Sequence, residues 1–187
     1  NEVLEVIRPL AILCEKPLAN NLADATAVID ACERENVLIF VNFIRRADPA
    51  VIKVRNLFAE GKLKPPFVGT AFYSKGLFNT ASHFTDLVEF WFGAPIAVCS
   101  LSTAQPITLL DDVRMDFKVH FSDGHVTFKS LPLDEIATYD LEFLFCNGRL
   151  TYTNDNRILW FEAMEDDKKT GVCNTGIEGF ELLNEMR

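Results

Sequence analysis

Leu10-Ala11-Ile12-Leu13-Cys14-Glu15-Lys16-Pro17-Leu18 is a short apolar run that stops abruptly at a carboxylate, an ammonium group and a proline. A continuous apolar run of this length reads as a strand buried on both faces, the habit of parallel sheets. Pro17 has no amide hydrogen for a ladder and pushes Lys16 toward extended backbone, so the strand ends here. Open α/β sheets take ligands in the crevice beyond the carboxyl ends of their strands. The stretch therefore predicts a fold element and, at its end, a place for chemistry.

The residues that follow support that reading. Asn20 or Asn21 can cap a helix whose apolar positions are Ala23, Ala27, Val28, Ala31 and Cys32. Val37 to Val41 reads as a second buried strand. Strand, helix, strand is the rhythm of a parallel sheet, and a single such unit is expected. Asn42 to Asp48 is a polar exit holding Arg45-Arg46. Asp48-Pro49 is a helix start, a capping carboxylate followed by proline at the first helical position. Val51, Val54, Leu57 and Phe58 form its apolar stripe, Gly61 stops it, and Lys64-Pro65-Pro66 is a stiff connector.

From Phe67 the pattern changes. Phe67 to Ser74 reads as a strand, Thr80 to Phe92 as a helix with Phe84, Leu87, Val88 and Trp91 apolar, and Ile96 to Thr103 as a strand. Val113, Met115, Phe117, Val119 and Phe121 alternate with polar residues, which predicts one continuous strand. Asp123-Gly124 and Asn147-Gly148 are hairpin signals, joining this strand to Val126–Leu131 and Tyr139–Phe145 to Leu150–Thr153. Asn154-Asp155-Asn156 turns into Ile158 to Glu162, 162 to 169 reads as a charged turn, 171 to 179 as loose and polar, and Phe180 to Met186 as a last helix. The expected class is α+β: an open, mostly antiparallel meander of five or six strands covered on one face by helices, preceded by the βαβ unit.

Bulk composition narrows the function. The 187 residues carry a net charge of −9, 49% hydrophobic residues and 16 Phe. A chain of this size buries roughly 70% of its unfolded surface and needs no staples. The charge repels a phosphate backbone and no basic run offsets it, so nucleic acid is not an expected partner. No apolar run approaches the ~20 residues of a membrane span, and no signal-peptide pattern is present. Five scattered cysteines (Cys14, Cys32, Cys99, Cys146, Cys173) without a C-x-x-C read as reduced core thiols of a cytoplasmic protein.

Two stretches can carry chemistry. Lys16, at a strand tip beside Glu15 and Pro17, is either a positioned cation for a substrate oxygen or a surface lysine. Asn79 and His83, four apart at a helix start, share one face. His83 can exchange a proton near neutral pH, or it is a packed histidine behind a capping Asn79. Arg45-Arg46 either meets an anionic or ribose group or is solvated beside Asp48. His120 and His125 flank a turn and read as solvated hairpin residues. A relay through Ser82, His83 and Asp86 fails, because neighbours on one helix cannot line up.

Leu13-Cys14-Glu15-Lys16-Pro17-Leu18-Ala19 resembles the signature of the glucose–fructose oxidoreductase, inositol dehydrogenase and rhizopine catabolism (Gfo/Idh/MocA) family. Val41-Asn42-Phe43-Ile44-Arg45-Arg46-Ala47-Asp48-Pro49-Ala50 is similar to its crossover between domains, and Gly61-Lys62-Leu63 to the turn after its first linking helix. Lys75 to Leu87, with Asn79 and His83, is similar to its catalytic-histidine helix. The resemblance implies a Rossmann domain ending near residue 46 and a substrate and oligomerisation domain over 47–187. It implies NAD or NADP as cofactor and hydride transfer at a hydroxyl-bearing carbon of a sugar or cyclitol. It also implies a homo-oligomer, such as a dimer, formed through the open sheet. Lys16 would be the catalytic lysine and His83 the acid/base histidine, with Asn79 where the family often has aspartate. Glu15, Lys16, Pro17 and Arg46 would border the nicotinamide.

Two departures set the alternatives. An amide at Asn79 cannot relay a proton. The sequence holds no G-x-G-x-x-G, so the phosphate-gripping turn is expected upstream of Asn1 and this chain alone is expected to bind the dinucleotide poorly. The rival reading is a non-catalytic module of the same fold that senses a ligand or pairs through its sheet.

Overall fold

The computed structural model describes residues 4, 6–107, 111–133, 135–153, 157–163 and 179–182. The chain divides into two compact units, Asn1–Ile44 and Arg45–Arg187.

The first unit is β1 (Ala11–Glu15), α1 (Leu22–Arg34) and β2 (Leu38–Asn42), with the strands parallel and paired from Ala11↔Leu38 to Glu15↔Asn42. Of the two candidate caps, Asn21 serves: its Oδ1 accepts the Asp24 amide at 2.9 Å. The strands are not buried on both faces as the apolar runs predict. Ile12, Cys14, Ile39 and Val41 are half-buried, but Leu13, Leu38 and Phe40 are 70, 63 and 56% exposed. A parallel pair needs a layer on each side, and α1 supplies one of them.

The second unit holds a 3₁₀ turn at Ile44–Ala47, α2 (Pro49–Ala59), β3 (Phe67–Tyr73), a π-helical turn (Leu77–Ala81) and α3 (Ser82–Phe92). Nine strands follow among the described residues: β4 (Ala97–Ser100), β5 (Gln105–Ile107), β6 (Asp112–Arg114), β7 (Phe117–Phe121), β8 (Gly124–Ser130), β9 (Tyr139–Phe145), β10 (Gly148–Tyr152), β11 (Ile158–Glu162) and β12 (Gly179–Leu182). Asp48 caps α2 through its bond from the Ala50 amide, 2.8 Å, as the Asp-Pro start predicts. The main sheet has the order β12-β11-β10-β9-β3-β8-β7-β4 and is open and mostly antiparallel. One face packs on α2 and α3, which contribute Val51, Val54, Phe84, Leu87, Val88 and Trp91 to the core.

Four expectations are corrected. The sheet is not a meander: β3 lies between β8 and β9 and runs parallel to β8. Alternation fixes which face of a strand is buried, not which strand lies beside it. The predicted strand from Val113 to Phe121 breaks at Met115-Asp116. There the Asp116 carbonyl accepts the Leu101 and Ser102 amides and its carboxylate binds Lys129 Nζ (2.8 Å) and the Ser130 amide (2.9 Å). The segment before the break, β6, pairs with β5 in a separate small ladder, so the strand predicted through Thr103 closes at Ser100. The predicted last helix begins instead as β12, paired with β11. The core-thiol reading holds for Cys32; Cys14 is half-buried, and Cys99 and Cys146 are exposed. The readings at 108–110, 154–156, 164–178 and 183–187, Cys173 among them, lie outside the described residues.

Aromatic rings dominate the core. Phe67 meets Phe92 at 4.2 Å between centroids, Phe92 meets Phe143 at 5.3 Å, and Phe117 stacks on Phe128 at 4.4 Å. Gly69 makes room for this: a Cβ there would lie 2.6 Å from the Phe143 ring. No helix among the described residues is long and apolar enough to cross a membrane.

Candidate functional site

In the first unit the charged end of β1 is organised by its neighbour. Glu15 and Asn42 are the last paired residues of the parallel strands, and Asn42 Nδ2 donates to Glu15 Oε1 at 2.7 Å. Lys16 follows directly, half-buried, and is joined to Pro17 by a cis peptide. A carboxylate and an ammonium group therefore stand at the carboxyl ends of two parallel strands, where open α/β sheets bind ligands.

In the second unit the chain leaves β3, turns at Lys75 and Gly76, and enters the π-helical turn that carries Asn79. The helix does not begin at Asn79, and Asn79 is not its cap. Asp112 fills that role, accepting the Phe78 amide on Oδ1 (3.0 Å) and the Asn79 amide on Oδ2 (2.8 Å). The Asn79 residue is exposed and His83, in the first turn of α3, is half-buried. Ser82 Oγ donates to the Phe78 carbonyl at 2.7 Å. Asp86 pairs with an arginine, so Ser82, His83 and Asp86 form no relay.

That arginine is Arg46. Its Nε and Nη2 grip Asp86 at 2.9 and 2.6 Å, and its guanidinium lies 5.2 Å from the Phe90 ring centre. The fork matches the carboxylate in two parallel bonds, the strong form of this pair. Arg45 turns the other way, 5.2 Å over Phe84 and 5.0 Å over Tyr139. Its buried Nε has no hydrogen-bond acceptor, and the two ring faces are its compensation. Burial raises the Tyr152 hydroxyl pKa, against the opposing charge and hydrogen bond of Arg45. Arg45 is therefore not the solvated side chain of the simpler reading, while Arg46 is exposed as that reading has it but paired with Asp86.

His120 and His125 face one another across the β7–β8 ladder, with rings 5.7 Å apart and both residues half-buried, rather than standing solvated. Burial, then the charges of Lys118 and His120, hold His125 below the usual imidazole range. No group of three His, Cys, Asp or Glu able to hold a metal occurs among the described residues.

No family model matches the chain. A D-apiose dehydrogenase of Paraburkholderia graminis is 40% identical over 60 residues, 32% of this chain and 16% of that protein. A myo-inositol 2-dehydrogenase of Thermotoga maritima is 35% identical over 57 residues, 30% of this chain and 17% of that protein. Among solved structures, an oxidoreductase domain protein from Kribbella flavida superposes with a TM-score of 0.68 at 21% identity, over 91% of this chain and 56% of that one. An oxidoreductase from Agrobacterium radiobacter, solved with NAD+, L-tartaric acid and magnesium, gives 0.63 at 15% identity, over 80% of this chain and 51% of that one. These likenesses, in sequence over about a third of the chain and in fold over most of it, support the Gfo/Idh/MocA family.

The chain spans about half the length of these solved oxidoreductase structures, and its matches to the two curated dehydrogenases span about a sixth of theirs. Of the residues read from the sequence, Glu15, Lys16 and Pro17 stand together at the end of β1 in the first unit. Asn79, His83 and Arg46 belong to the second, with Arg46 bound three residues along α3 from His83. The residue the sequence did not disclose is Asp112. Its amide partners lie 33 and 34 residues away, and Asp111-Asp112 before an alternating segment looks like any polar strand entry.

Proposed function

We propose that this chain is part of an NAD(P)-dependent oxidoreductase that moves hydride between a nicotinamide and a hydroxyl-bearing carbon of a sugar or cyclitol. The observation that carries the proposal is the charged end of the parallel pair, Glu15 braced by Asn42 with Lys16 immediately beyond. The names of the two relatives support the substrate class, and the NAD+ complex of the Agrobacterium enzyme supports the cofactor.

The residues present fit the reactive end of a nicotinamide dinucleotide. They do not fit its phosphates, since no glycine-rich turn exists in the sequence. Glu15, Lys16 and Pro17 would border the ring. A bound nicotinamide supplies the hydride acceptor. Lys16 hydrogen-bonds the substrate oxygen and favours its deprotonated form. His83 takes the hydroxyl proton in oxidation and returns it in reduction. Asn79 orients the substrate or His83 by neutral hydrogen bonds. Arg46, which the resemblance also assigns to the nicotinamide, has its charge already matched by Asp86.

We also propose pairing of two copies through the uncovered face of the main sheet, where Val68, Phe72 and Leu144 are exposed. A cytoplasmic setting fits the free thiols at Cys14, Cys32, Cys99 and Cys146.

Calorimetry tests the proposal. The full-length protein carrying this chain binds NAD+ or NADP+, and Lys16→Met abolishes turnover while dinucleotide affinity stays within about twofold. Absence of binding by the full-length protein sinks the reading and leaves the non-catalytic module in its place.

A further inference from the structure

The turn that leads into His83 is held from outside its own helix. Leu77–Ala81 is π-helical and passes directly into α3. π turns are rare and concentrate at functional sites, and an unusual backbone persists only where its surroundings fix it. Neither Gly76 at the start of the turn nor Ala81 at its junction with α3 provides a side-chain cap. Asp112, arriving on β6, provides one: its carboxylate accepts the amides of Phe78, Asn79 and its own neighbour Val113 at 3.0, 2.8 and 2.7 Å. The residue is 7% exposed. Gly76, at φ +96°, lies so close that a Cβ would stand 2.1 Å from Asp112 Oδ2. The negative charge also suits the positive end of a helix.

We infer that Asp112 is a positioning residue for the reaction. By pinning the amides of Phe78 and Asn79 it keeps the turn π-helical and fixes the direction in which Asn79 and His83 are presented. This role rests on the reading of His83 as the acid/base. Misplacing a reacting group by about 1 Å costs on the order of 100-fold in rate.

The first test is NMR on this chain. In Asp112→Asn, which keeps the shape and removes the second acceptor, the Phe78 and Asn79 amides exchange at least about tenfold faster. The His83 ring signals move, and the amides of β3, β8 and β9 stay in place. Unmoved Asn79 and His83 signals overturn the inference. Gly76→Ala, which forces the carboxylate aside without deleting it, produces the same changes and serves if Asp112→Asn does not fold. The second test is kinetic. In the full-length oxidoreductase Asp112→Asn lowers kcat about 10- to 100-fold with KM for the dinucleotide unchanged, a split that general loss of structure does not give. His83→Ala separates the two claims. An enzyme that needs His83 yet tolerates Asp112→Asn removes the positioning role alone. An enzyme indifferent to His83→Ala removes the acid/base reading, and with it the catalytic role of Asp112, while the NMR result still decides whether Asp112 holds the turn.

Discussion

Phe40 in the first unit is 56% exposed, while Phe143 in the second is fully buried, although each sits in an apolar strand. The difference lies in how many faces each strand asks to have covered. Val37 to Val41 is continuously apolar and asks for a layer on both sides, of which α1 supplies one. Tyr139 to Phe145 alternates and asks for one layer, which α2 and α3 supply. Sequence pattern states the demand for cover; the rest of the fold determines whether it is met.

The sharpest way to break that contrast is a matched pair of truncations. Phe143→Ala removes a ring that touches Phe67, Trp91, Phe92 and Phe145, and costs about 3–5 kcal/mol, as core phenylalanines do. Phe40→Ala stays within about 0.5 kcal/mol, the range of surface substitutions. Both are read by denaturant unfolding of the chain, and equal losses would remove the contrast. Next in size is Gly69→Ala. Its methyl would enter the Phe143 ring, and overpacking of this kind costs about 1–3 kcal/mol in the same assay.

A third pair carries the contrast into the candidate site. The Asp86 side chain is 9% exposed and gripped by Arg46, so Asp86→Ala leaves that arginine without its partner and costs about 1–3 kcal/mol. The Glu15 bond to Asn42 is exposed, and Glu15→Ala costs about 0.5–1 kcal/mol. A larger loss at Glu15 than at Asp86 would mean that the end of β1 is a structural joint rather than a ligand-facing edge.

These residues also show what the sequence could disclose. Glu15-Lys16-Pro17 was legible because strand end, charge and proline are adjacent. The apolar positions of α3 were legible because their period is local, and so was the cap at Asp48. The insertion of β3 beside β8, the Arg46–Asp86 pair and the Asp112 cap were not. Each joins residues 33 or more apart, and no local pattern in either partner names the other. The strand break at Asp116 belongs to the same class. Its cause is a set of bonds to Lys129, Ser130 and the backbone at 101–102, none of which alters the alternation of Val113 to Phe121.

The smallest expected effect is a pH dependence confined to the second unit. His125 is held below the ordinary imidazole pKa, first by burial and then by Lys118 and His120 on β7, while Val68 stands opposite it on β3. Its folded form therefore favours the neutral ring. The stability this contributes is whole above the unfolded value of about 6.5 and declines as pH falls from there through the lower folded value, because the unfolded chain takes the proton more readily. Asp116 works in a lower window. Burial alone would raise its carboxyl, but the bonds from Lys129 and Ser130 outweigh it and set it below the usual range, so its contribution is lost only in acid below about pH 4. Both tryptophans, Trp91 and Trp160, lie in the second unit, so their fluorescence follows its unfolding alone. Urea midpoints read in this way drop between pH 7 and 5 for the wild-type chain and flatten in His125→Gln. A slope that survives that substitution would break the link between the ladder's packing and the titration of His125.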